Sequence, residues 1–193
     1  MRIIAGSLRS RRLEAPPGLA TRPTSDRLRE TLFNVLAPRI QGALFLDLYS
    51  GSGAVGIEAL SRGALRVVFV ERAEAALSAL RENLARLGLR KGVGVHAGSV
   101  SAFLRRGRPE SSPRFDLVFL DPPYDAAPEY EASLGLLGGA ASSLLASGAL
   151  VIAEHRRKQS PEDRYGSLQR ARLLQQGDAA LSFYTEDLDP PSR

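Results

Sequence analysis

The chain has 193 residues, 44% of them hydrophobic and 24% charged, which fits one globular domain with room for a small extension. It has no cysteine and two histidines, so disulfides, thiolate chemistry and a zinc site are not expected. No run approaches the ~18 apolar residues of a membrane span. The amino terminus, Met1-Arg2-Ile3-Ile4-Ala5-Gly6, is charged too early for a signal peptide, and a soluble cytoplasmic protein is expected.

Charge is unevenly spread. Residues 1–40 carry eight arginines (2, 9, 11, 12, 22, 27, 29 and 39) against Glu14, Asp26 and Glu30, which is the whole formal excess of +5. Residues 41–193 are neutral in total. A basic piece on a neutral body suggests a polyanion-facing arm. Arginine is overused throughout, however: lysine occurs only at 91 and 158.

In chain order, residues 2–14 read as two short strands around Gly6-Ser7-Leu8-Arg9-Ser10, a hairpin that must lean on something to be stable. A loop follows at 15–18. Thr24 or Ser25 then caps a helix that runs to about Ala37 and stops at Pro38. Its apolar stripe is Leu28, Leu32, Val35 and Leu36, with Arg27, Arg29 and Glu30 off it. From residue 43 strands alternate with helices. Strands are expected at 43–48, 66–71, 93–97, 115–120 and 149–154, and helices at 54–62, 73–87, 100–105 and 129–145. Residues 168–175 and 179–185, joined through Gly177-Asp178, read as a closing hairpin, and the tail from Asp189 as disordered. The expected fold is α/β: a mostly parallel seven-stranded, Rossmann-like sheet with helices on both faces and a C-terminal antiparallel hairpin. The division expected is a basic extension over 1–40, a main domain over 41–187 and a tail over 188–193.

Two stretches carry chemistry. Gly51-Ser52-Gly53-Ala54-Val55-Gly56 matches G-x-G-x-x-G between a strand and a helix, and Glu71 ends the next strand, where an acid can bind ribose hydroxyls. Asp47, four residues before Gly51, would repel a pyrophosphate but attract an ammonium. That argues against NAD and for S-adenosylmethionine, which has an ammonium, a ribose and no phosphate. The second stretch is the apolar strand Phe115–Leu120, which ends in Asp121-Pro122-Pro123-Tyr124. The prolines cannot continue a ladder, so a carboxylate and a phenol gather at the carboxyl end of a strand, where open α/β sheets bind ligands. His155 beside Glu154 invites a catalytic reading, but Arg156, Arg157 and Lys158 follow it, and a solvated strand end is expected. His96 reads as structural.

Asp47-Leu48-Tyr49-Ser50-Gly51-Ser52-Gly53, Glu71 and Asp121-Pro122-Pro123-Tyr124 together resemble class I S-adenosylmethionine-dependent methyltransferases that act on exocyclic amines of nucleobases. Arg2-Ile3-Ile4-Ala5-Gly6, the block from Arg22-Pro23-Thr24-Ser25-Asp26 to Asn34 and the late Gly177-Asp178 to Tyr184 narrow the resemblance to the bacterial ribosomal small-subunit methyltransferase D family. The resemblance spans nearly the whole chain. It implies methylation of the 2-amino group of one guanine in 16S ribosomal RNA, free or in an assembling subunit, by a monomer that needs neither metal nor membrane. It implies cofactor contacts from Asp47, Tyr49, Ser50, Gly51, Ser52, Gly53, Glu71, Arg72, Ser99 and Val100, and chemistry at Asp121, Pro122, Pro123 and Tyr124. One departure is Gly98-Ser99, where such enzymes often carry Gly-Asp. The charge distribution assigns RNA contact to Arg9, Arg11, Arg12, Arg22 and Arg27. The alternatives are an adenine amine methyltransferase on DNA or RNA, a non-catalytic RNA-binding protein that has kept the fold, and an NAD-dependent oxidoreductase.

Overall fold

A computed structural model describes residues 1–15, 25–109, 112–123 and 127–187. Residues 16–18 of the expected loop, Arg22, Thr24, Tyr124 and the tail lie outside the described residues. The chain divides into two compact units, Met1–Val100 and Ser101–Arg193.

The first unit holds α1 (Asp26–Ile40), β1 (Leu44–Leu48), α2 (Ala54–Ser61), β2 (Arg66–Glu71), α3 (Glu74–Arg86) and β3 (Val93–Ala97). Its strands are parallel in the order β3-β2-β1, with Leu46 beside Val68 and Phe69 beside Val95. Parallel strands joined by crossover helices are covered on both faces, which is why β1 and β2 read as apolar runs. Phe45, Leu46, Leu48, Val67, Phe69 and Val70 are buried accordingly. A Cβ on Gly56 would lie 2.3 Å from the Phe69 ring, so the bare glycine lets α2 approach the sheet closely.

Helix α1 begins at Ser25, whose Oγ accepts the Leu28 N–H at 3.1 Å. It does not stop at Pro38. The proline lies inside the last turn and the helix ends at Ile40. Pro38 forfeits one intrahelical bond, but the buried Ile40 holds the final turn in place. Arg29, expected off the apolar stripe, is fully buried. It is drawn in by Asp26 Oδ1 at 2.9 Å and by the Arg2 carbonyl at 2.5 Å.

Residues 2–14 do not form two strands. Arg2 and Arg12 make one antiparallel bridge, flanked by Ile3 N–H to Arg11 O and Leu13 N–H to Met1 O, each 3.0 Å. Backbone groups that a wider ladder would pair go instead to side chains of α2. The Glu58 carboxylate accepts from the N–H groups of Ile4 (2.7 Å) and Ala5 (3.0 Å). Ser61 Oγ accepts from Leu8 N–H at 3.0 Å and donates to Ala5 O at 2.6 Å, while Ser61 O accepts Ser7 N–H at 2.8 Å. Gly6 has φ +83°, and a Cβ there would lie 1.8 Å from Ser61 O.

The second unit opens within α4 (Val100–Arg106), which starts at the last residue of the first, and holds β4 (Phe115–Leu120), α5 (Ala127–Leu137), β5 (Leu145–Arg156), β6 (Arg164–Tyr165), β7 (Leu168–Gln176) and β8 (Ala179–Glu186). The strand order is β4-β5-β8-β7-β6, with β4 and β5 parallel and the remaining pairs antiparallel. The β7–β8 hairpin is the expected one, and the two-residue β6 is an addition to the seven strands expected. Helix α5 ends at Leu137 rather than near 145. A Cβ on Gly138 would lie 1.7 Å from Tyr165 O, so the chain turns where it passes β6 too closely for any side chain. A single 3-10 turn, Ser142–Leu144, then leads into β5. Strand β5 begins earlier than expected because its pairing with β4 shifts register between Phe115 and Leu117, which takes up the turn-forming Gly148 (φ +69°). His155 is not a solvated strand end. It is 1% exposed, its Nε2 accepts from Ser182 Oγ at 2.8 Å, and its Nδ1–H donates to Arg156 O at 2.9 Å. Burial lowers its pKa and keeps the ring neutral. Among the described residues no helix is long and apolar enough to cross a membrane.

Candidate active site

The carboxyl ends of β1, β2 and β3 converge through their own backbone. Ser50 N–H bonds to Val70 O at 3.1 Å and Gly98 N–H to Glu71 O at 2.8 Å. Gly51 N–H donates to Glu71 Oε2 at 2.8 Å, while Glu71 Oε1 accepts from the N–H groups of Arg72 and Ala73, each at 2.8 Å. The carboxylate therefore lies in a cluster of amide donors that fixes its direction.

The turn itself is strained where it must reverse. Tyr49 has φ +59°, Gly51 φ +55° and Gly53 φ +83°. A non-glycine residue in the left-handed region is uncommon and is held only when its surroundings over-determine it. Here Gly53 N–H to Ser50 O at 2.8 Å closes the turn. Gly53 is required by packing, since a Cβ would lie 2.4 Å from Leu80 Cδ1. Gly51 faces no atom within 4 Å where a Cβ would sit, so its surface is open for a ligand to approach.

Asp47 is 1% exposed and accepts Gly56 N–H on Oδ2 at 2.9 Å. Burial pushes its carboxyl up to about 7. The Gly56 bond opposes that rise and the negative charge of Glu71 adds to it. Ser99 is half-buried and Val100 buried at the start of α4, directly after β3. Arg72 is exposed.

In the second unit, β4 delivers Asp121 half-buried, Pro122 buried and Pro123 exposed at its carboxyl end. Arg9, Arg11, Arg12 and Arg27 are all exposed on the first unit.

The chain matches the family described as Conserved hypothetical protein 95 over residues 1–185. It is 35% identical over 184 residues to YlbH of Bacillus subtilis (strain 168), which bears the name of an rRNA methyltransferase; the match covers 95% of this chain and 98% of that protein. It is 43% identical over 124 residues to Ribosomal RNA small subunit methyltransferase D of Escherichia coli (strain K12), covering 64% of this chain and 60% of that one. A solved structure of the Escherichia coli methyltransferase yhhF superposes with a TM-score of 0.82 at 35% identity, covering 98% of this chain and 99% of the other. The chain belongs to the small subunit methyltransferase D family.

The methyltransferase D fold is that of class I methyltransferases, and the cofactor it implies is S-adenosylmethionine. The described residues fit that group. A buried carboxyl whose pKa is raised favours a cation beside it, a carboxylate set among amides can accept ribose hydroxyls, and Gly51 leaves room for the approach.

Sequence reasoning missed Asn83. This buried residue of α3 donates from Nδ2 to Ser52 O, inside the glycine turn, at 3.1 Å. A signal was available: Ala76, Leu77, Leu80 and Leu84 form a buried stripe, and an amide set among them must find polar partners.

Proposed function

We propose that this chain methylates the exocyclic 2-amino group of a guanine in 16S ribosomal RNA of the small subunit, in the cytoplasm, as a monomer. The observation that supports it best is the turn between β1 and α2, with the open face of Gly51 beside Glu71 and the raised Asp47 beneath, on a chain of the methyltransferase D family. Asp47 holds the cofactor's ammonium, Glu71 accepts its ribose hydroxyls, and the backbone from Tyr49 to Gly53 lies against it. Arg72, Ser99 and Val100 border the adenine. Ser99 accepts there without charge, where an aspartate is common. Bound S-adenosylmethionine supplies an electrophilic methyl group.

The chain's own contribution to the chemistry is to shape the amine. The lone pair of a guanine amine is delocalised into the ring, so the nitrogen attacks only when drawn toward tetrahedral geometry. Asp121 accepts one N–H and the carbonyl of Pro122 accepts the other. Both bonds strengthen as positive charge builds on nitrogen, which favours the transition state over the ground state. The prolines stiffen the positions of these acceptors. Tyr124, next in the chain, stacks on the base for about 1–3 kcal/mol. The guanine must be unpaired to present its amine. Arg9, Arg11, Arg12, Arg22 and Arg27 hold phosphates.

Mass spectrometry of ribosomal RNA nucleosides from cells with and without the protein tests the reading. Loss of 2-methylguanosine from 16S RNA is expected; loss of 6-methyladenosine instead would transfer the assignment to adenine. In single-turnover methyl transfer, Asp121→Ala should cost roughly 10²–10³ in rate while cofactor and RNA affinity hold. Near-normal turnover would remove β4's end from the chemistry. Asp121→Asn separates orientation, which it keeps, from charge, which it loses.

A further inference from the structure

The side-chain amide of Asn83 makes three hydrogen bonds to two separate pieces of backbone. Its Oδ1 accepts Glu14 N–H at 2.8 Å, and its Nδ2 donates to Glu14 O at 3.0 Å and to Ser52 O at 3.1 Å. A flipped amide would set a donor against the Glu14 N–H and an acceptor against two carbonyls, so the orientation is dictated by its partners. Asn83 is 1% exposed, and each of these groups would be costly to leave unpaired.

Both partners occupy consequential positions. Ser52 O and Gly53 N–H belong to one planar peptide. Asn83 holds its oxygen and Ser50 O holds its N–H at 2.8 Å, so the central peptide of the glycine turn is pinned at both ends. Glu14 lies at the far end of the amino-terminal segment, two residues after Arg12. Its backbone pairs with Asn83 on both sides, as a ladder residue would, and its carboxylate meets Arg86 Nη1 at 2.7 Å, one turn further along α3. The other end of the segment is fixed to α2 by Glu58 and Ser61. A displacement at residue 14 therefore bears on the peptide that lies against the cofactor.

We propose that Asn83 is a positioning residue that couples the amino-terminal segment to the glycine turn, so that RNA held by the segment raises affinity for the cofactor. This rests on the function proposed above. By linkage, cofactor must raise RNA affinity by the same factor.

The test is calorimetric titration of S-adenosylhomocysteine into the full chain, alone and with a 16S ribosomal RNA transcript at a concentration that saturates the arm. In the parent protein RNA should raise the affinity about 5–150-fold. In Asn83→Ala that ratio should fall to about one. A purely structural role would lower affinity equally with and without RNA and leave the ratio intact, which would overturn the proposal. Glu14→Pro guards against misfolding of the first variant. It removes the N–H that Asn83 Oδ1 accepts while leaving the bond from Asn83 to Ser52 O. Affinity for S-adenosylhomocysteine without RNA should stay within about twofold of the parent, and the ratio should again be lost. A retained ratio in Glu14→Pro, or a ratio of one in the parent with both ligands bound, overturns the coupling and leaves the proposed function standing. Failure of S-adenosylhomocysteine to bind the parent removes both.

Discussion

Two buried carboxylates in the first unit are treated in opposite ways. Glu58, on α2, accepts two backbone N–H groups from residues 4 and 5 and Arg62 Nε at 2.7 Å, and it faces Arg29 Nε at 3.9 Å. Asp47, at the end of β1, accepts a single N–H from Gly56, and among the described residues no cation pairs with it. Burial, with the negative charge of Glu71 adding to it, raises its pKa to about 7. The contrast separates structure from function. The charge of Glu58 is neutralised by the chain itself and fastens the amino-terminal segment. The charge of Asp47 is left short and would be completed by a cationic ligand. The arginines divide in the same manner. Arg29 and Arg62 serve the fold, with Arg62 also set over the Phe33 ring at 5.0 Å, whereas Arg9, Arg11 and Arg12 point to solvent.

The comparison breaks most visibly at Glu58. Glu58→Gln leaves the buried Arg29 and the half-buried Arg62 facing a neutral amide and supplies one acceptor oxygen where two were used. A loss of about 3–5 kcal/mol in denaturant unfolding is expected, as for one partner removed from a buried pair. Unchanged stability would show that Asp26 alone suffices for Arg29.

Asp47 should instead reveal itself through pH. Its folded pKa is raised, so between about pH 4 and about pH 7 the native chain keeps a proton that the unfolded chain has lost. Stability should therefore decline with rising pH across that window and level off above it. Affinity for a cationic cofactor should move the other way, rising as pH passes 7 and the carboxylate forms. Calorimetry with S-adenosylhomocysteine from about pH 5.5 to 8 should show that rise in the parent chain and a weaker, flat profile in Asp47→Asn. Parallel profiles would take Asp47 out of the site.

The smallest effect belongs to the exposed cations. Replacing Arg9, Arg11 and Arg12 by Ala should leave stability within about 0.5 kcal/mol. It should reduce the slope of log affinity for RNA against log salt by roughly 2. An unaltered slope would mean that these three charges do not touch phosphate.

Sequence and structure agree where one physical rule acts alone. Alternating strands and helices, the glycine turn and the β7–β8 hairpin all follow from local periodicity and turn chemistry, and they were legible. The departures occur where distant segments meet. Arg29 has the composition of a solvated helix face, yet Asp26 and the Arg2 carbonyl draw it inside. His155 precedes three cations in sequence, but its ring turns inward onto Ser182 across the β5–β8 pair. Helix α5 stops because β6 passes Gly138, and β6 is too short to announce itself. Of the candidate site, the residue types and spacing were legible. The bridging amide of Asn83 was not, because its partners lie 69 and 31 residues away.

The fit of Gly6 against Ser61 O bears on how such proteins could be rebuilt. A segment transplanted in its place would bring its own arginines, but it could seat on this body only with a bare backbone at its sixth position and two free N–H groups for Glu58. The arm is thus a fitted part with a keyed base. Its exposed tip could be exchanged, while the key must be kept if the new tip is to stand against the same helix.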